Sequence, residues 1–69
     1  MKLFDVVALT EDLPDRHLLR GQVGTLVESL APDVYEVEFA DPDGRTYATV
    51  AVPASHLMAL HHQPHATAA

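Results

Sequence analysis

Gly21-Gln22-Val23-Gly24-Thr25-Leu26-Val27-Glu28 decides how the rest of the chain is read. Two glycines three positions apart, followed by an apolar run rich in β-branched residues, mark a loop that feeds a sharply bent strand. Glycine tolerates positive φ and lets a second backbone come close, which is what such a bend needs. With a long loop before it and hairpins after it, the stretch predicts the second strand of a very small barrel. If Glu28 faces water, alternation turns Val23, Thr25 and Val27 inward and leaves Leu26 and Leu30 outside. A bulge or strong bend near Gly24 would return one of these leucines to the core.

Upstream, Leu3 to Leu9 reads as the first strand. With Asp5 outside, Phe4, Val6 and Ala8 point inward and Val7 and Leu9 outward, so either that outer face is covered or the facing is reversed. Thr10 to Arg20 is a polar excursion containing Pro14, anchored by Leu13, Leu18 and Leu19. Downstream, Ala31-Pro32-Asp33 is a turn, and Val34 to Ala40 is the clearest strand. There Tyr35, Val37 and Phe39 alternate with Glu36 and Glu38, giving one core face and one wet, negative face. Asp41-Pro42-Asp43-Gly44 makes a hairpin loop. Arg45 to Val52 returns, with two alternating sets and no decisive facing; Arg45 or Thr46 is expected across from the acidic side of the preceding strand. Pro53-Ala54-Ser55 predicts a single 3-10 turn, and His56 to Leu60 a closing strand with Leu57 or Met58 capping the core. From His61 to Ala69 little remains to bury, which predicts a disordered tail after one folded domain over residues 1–60.

The expected fold is therefore all-β, with five strands and one short helical turn before the last. A chain of 69 residues buries only about 60% of its unfolded surface, so the core is small. Cysteine is absent, which removes disulfides, thiolate metal sites and thiol nucleophiles and suits a reducing cytoplasm. The early Asp5 and the lack of a long apolar run argue against a signal peptide and a membrane span. A formal charge of −6, with Lys2, Arg16, Arg20 and Arg45 scattered, opposes a nucleic-acid backbone as partner and favours a basic protein surface.

The order of strand, long acidic loop, three hairpin-linked strands, short helical turn and final strand resembles a Src-homology-3-like barrel from Leu3 to Leu60. Asp5-Val6-Val7-Ala8-Leu9, Asp12-Leu13-Pro14, Leu19-Arg20-Gly21-Gln22-Val23-Gly24-Thr25, Tyr35-Glu36-Val37-Glu38-Phe39, Asp43-Gly44 and Thr46 are similar to a group of short bacterial proteins of unknown function. That resemblance implies a small accessory protein acting beside a partner gene, as an antitoxin or immunity-type binder. Gly21 to Val27 also resembles the KOW motif of ribosomal and transcription proteins, which implies an RNA-facing loop. The bent strand accounts for both glycines without a ligand, and the acidic balance opposes RNA.

Proline-peptide recognition needs an aromatic groove. The Thr10–Arg20 loop has no aromatic residue, the chain has no tryptophan, and Phe4, Tyr35, Phe39 and Tyr47 are mostly needed inside. His17, His56, His61, His62 and His65 offer metal donors, but three of them fall in the expected tail, where no second layer of contacts would hold them. Glu38, Asp41 and Asp43 lack calcium-loop spacing and are explained by the hairpin. Ser29 and Ser55 have no catalytic context, and so small a barrel leaves no cleft, so neither an enzyme nor a cofactor is expected. The candidate partner-binding residues are an acidic set, Glu28, Glu36, Glu38, Asp41 and Asp43, and an apolar set, Val7, Leu9, Leu26 and Leu30, with a protein partner or self-association as the two outcomes.

Overall fold

Once Val6-Val7-Ala8-Leu9 pairs on one side with Val23-Gly24-Thr25 and on the other with Leu57-Met58-Ala59, the whole chain is committed to one antiparallel sheet. The computed structural model describes residues 1–61. Its strands are β1 (Val6–Leu9), β2 (Val23–Ala31), β3 (Val34–Ala40), β4 (Thr46–Pro53) and β5 (Leu57–Ala59), in the spatial order β4-β3-β2-β1-β5. Two 3-10 turns, Pro14–Arg16 and Ala54–His56, complete the elements. The all-β expectation holds, including the single turn before the last strand.

The sheet does not close into a sealed cylinder, because β4 and β5 are its two edges and do not pair with each other. Buried residues come from all five strands and the long loop: Val7, Leu9, Leu18, Leu26, Val37, Phe39, Val50, Val52 and Leu57 form one cluster. No helix longer than three residues and no second sheet covers that face among the described residues, so it stays dry by curling over itself. Leu18 plugs it from the loop, where Leu13 and Leu18 exchange backbone hydrogen bonds at 2.8 and 3.1 Å. Leu19, expected to tether the loop as well, is exposed.

In the first two strands the structure takes the alternatives to simple alternation: β1 has the reversed facing, and a bulge in β2 returns Leu26 to the core. Val7 and Leu26 are fully buried and Leu9 nearly so, while Phe4 is 73% and Val23 47% exposed. In β2 the cause is a bulge: Leu26 pairs with Val37 and Glu28 with Glu36, leaving Val27 as an extra residue. An extra residue reverses the alternation beyond it, so counting back from Glu28 assigns the wrong face to everything before Val27. A second register shift between Ser29 and Ala31 leaves Leu30 unpaired and exposed. In β1 the cause is a late start. Phe4 has φ +70°, which a strand cannot accommodate, so Asp5 lies before the ladder and is no guide to its facing.

β3 has no such interruption before Phe39, and Val37 and Phe39 are buried as expected. In β4, Val50 and Val52 are the buried set, and a shift after Phe39 leaves Tyr47 without a direct partner. Its ring lies 6.4 Å from that of Phe39, and its hydroxyl accepts a hydrogen bond from Gln22 Nε2 at 2.9 Å. Tyr47 thus joins β4 to the start of β2 at one end of the curl. Residues 62–69, most of the expected tail, lie outside the described residues.

Candidate functional site

The outer face of the sheet follows from the register. Thr49, Glu38, Thr25 and Val6 lie side by side across β4, β3, β2 and β1. A second row runs Ala51, Glu36 and Glu28. Glu28 and Glu36 are therefore directly opposed, and Glu38 stands two residues along β3 on the same face. No lysine or arginine forms a salt bridge with them among the described residues. Of Arg45 and Thr46, the two expected across from this acidic side, Arg45 lies before β4 begins and Thr46 pairs with Ala40; the residues that face Glu38 and Glu36 are the short, uncharged Thr49 and Ala51.

Asp41 and Asp43 do not join that row. Asp41 Oδ1 accepts backbone hydrogen bonds from Asp43 and Arg45, both at 2.9 Å, and its carbonyl accepts one from Gly44 at 2.9 Å. The carboxylate is occupied in building the turn that Gly44 completes at φ +83°. Asp43 is exposed at the tip of the hairpin.

The apolar set is corrected more sharply. Val7, Leu9 and Leu26 are core residues, so of the four only Leu30 is available on the surface. The apolar exterior is built instead from the opposite members of the same strands. Val23 pairs with Ala8, and Ala8 with Met58; Val23 and Met58, 47% and 53% exposed, flank the covered Ala8. The Val27 bulge is what the sequence hides, since nothing in Leu26-Val27-Glu28 distinguishes a bulged residue from a regular one.

Beside this strip, Ala8, Leu9, Thr10, Arg20, Gly21 and Met58 line a shallow, open depression of about 290 Å³. Backbone bonds fix its rim: Gly21 N–H donates to Leu9 O at 2.7 Å, and Arg20 N–H to Asp12 Oδ1 at 2.8 Å. Gly21 has φ +92°, so the first glycine of the organising stretch makes the turn. At the second 3-10 turn, His56 Nε2 lies 3.5 Å from Glu11 Oε2, and His56 O accepts from Thr10 N–H at 2.9 Å. These contacts pin the long loop to the start of β5. No group of three or more His, Cys, Asp or Glu is placed to hold a metal among the described residues, and His62 and His65 lie outside them. No helix among the described residues is long and apolar enough to cross a membrane.

Compared with protein-family profiles, residues 3–59 match a domain of unknown function, DUF4926. The chain belongs to that family. The match begins just before β1 and ends with β5, so the DUF4926 unit is the five-stranded sheet itself. No curated protein and no solved structure matches the chain. Membership of an uncharacterised family is thus as expected, and DUF4926 membership carries no activity with it.

Proposed function

We propose that this DUF4926 domain is a small, cytoplasmic, non-enzymatic interaction module that meets a basic protein through the Glu28, Glu36 and Glu38 face, as the neutralising member of a bacterial gene pair would. The observation that carries this reading is the direct opposition of Glu28 and Glu36 across the ladder, with no cationic side chain bridging them among the described residues. Like charges placed across a strand pair oppose folding, and a basic partner turns that cost into binding energy.

Two measurements test it. Relieving the repulsion by Glu28→Gln is expected to raise stability by about 0.5 kcal/mol, or roughly 2–4 °C in Tm, with the gain shrinking as salt is added. The same substitution should weaken partner binding. Affinity capture from the source cell with the unaltered chain is expected to retain one basic protein, released as ionic strength rises. Retention of RNA or DNA in its place would overturn the assignment in favour of a KOW-like role. A Glu28→Gln variant that is less stable than the parent would remove the premise.

A further inference from the structure

β4 is an edge of the sheet, so half of its backbone N–H and C=O groups have no ladder partner. Natural edges of this length are blunted by lysine, proline, bulges or inward charges. Here the blunting is confined to the ends, with the Tyr47 irregularity at one and Pro53 at the other. Between them Ala48-Thr49-Val50-Ala51-Val52 is uncharged, regular in register and free of proline.

What lies behind this edge says what it would accept. One strand in from Thr49 and Ala51 stand Glu38 and Glu36, and one strand further in is Glu28. A strand added along β4 would place its own backbone about 10 Å from that of β3, two ladder spacings away. The intervening Thr49 and Ala51 side chains are short, so a lysine or arginine on the added strand can extend over them toward the carboxylates. A second copy of this chain fits poorly. Pairing β4 with β4 would join two chains of formal charge −6 and bring two acidic rows onto one continuous face.

We propose that the Ala48–Val52 edge of β4 is a docking line for an extended basic segment of a partner protein, which adds a sixth strand and sets alternate lysine or arginine residues over Glu36 and Glu38. The inference rests on the interaction role above and supplies its geometry: backbone hydrogen bonds give the register, and the period-two cations give the selectivity.

A seven-residue peptide of alternating lysine and valine, titrated into the intact chain, tests it by amide hydrogen exchange and by affinity. Bound peptide is expected to slow the outward-facing β4 amides at least tenfold. The outward N–H and C=O groups belong to Thr49 and Ala51, so an antiparallel peptide bonds through its lysine nitrogens and a parallel one through its valine nitrogens. Methylating one of these two sets should weaken binding at least tenfold, and Glu36→Gln with Glu38→Gln about tenfold with a flatter salt dependence. An alternating glutamate and valine peptide should not bind. Protection elsewhere with β4 unchanged, indifference to backbone methylation, or no binding at millimolar peptide would each overturn the proposal. So would a dimer of the free chain with protected β4 amides, which would assign the edge to a second copy. A captured cellular partner that leaves β4 exchanging freely sinks this inference and spares the interaction role. A peptide that protects β4 while no cellular protein is retained does the reverse.

Discussion

Gly24→Ala is expected to destabilise the domain by about 3 kcal/mol, at the upper end of what overpacking costs. A Cβ at this position would lie 2.7 Å from Val37 Cγ1, 2.9 Å from the Glu38 carbonyl oxygen and 3.0 Å from Phe39 Cδ1. Val37 and Phe39 are fully buried and cannot swing away, and the carbonyl is part of the β3 backbone. The added methyl must therefore push two strands apart. A domain this small has only about 3–9 kcal/mol to lose, so the variant should melt roughly 12–24 °C below the parent or fail to fold. Gly21→Ala is the control. Nothing lies within 4 Å of a Cβ there, and only the positive φ opposes the change, at a cost of about 1–2 kcal/mol. Equal melting temperatures for the two variants would show that β2 and β3 do not approach this closely.

The second large effect separates the two possible facings of β1 and β2. Val7→Asp is expected to abolish the folded state, because Val7 is fully buried and an unpaired carboxylate there costs several kcal/mol. Val23→Asp introduces the same charge at a site that is 47% exposed and should cost no more than about 1 kcal/mol, mostly in strand propensity. The pair has equal net charge and equal chemistry, so dispersion of the amide spectrum and urea midpoints report facing alone. Collapse of Val23→Asp with survival of Val7→Asp would restore the facing that simple alternation gives.

That contrast also locates what a reader of the sequence can and cannot see. β3 was legible because Glu36 and Glu38 interrupt its apolar residues at every second position and no bulge falls between them. The Asp41–Gly44 hairpin was legible from turn chemistry, and the Ala54–His56 turn from Pro53. β1 was not, because Val6-Val7-Ala8-Leu9 is apolar throughout and contains no internal marker of its wet side. Its facing is set from outside, by Val7 lying opposite Gly24. Of the candidate residues, Glu28, Glu36 and Glu38 were legible as one outer face because charge announces itself locally. The exposed Val23 and Met58 were missed, since apolar surface resembles apolar core until its partner strands are known.

The pairing of β1 with β5 joins residues from opposite ends of the described chain, Val7 with Ala59, whereas β2, β3 and β4 meet their neighbours through tight hairpins. Bringing distant segments together costs more chain entropy than closing a turn. Assembly should therefore begin in the β2-β3-β4 meander and finish when the three residues of β5 zip onto β1. In the native state the same asymmetry runs backwards: the β5 flank is expected to open first, and its amides to take up deuterium well before those of β3. The molecule has a durable side and a provisional one, and the opposed carboxylates of Glu28 and Glu36 stand on the durable side.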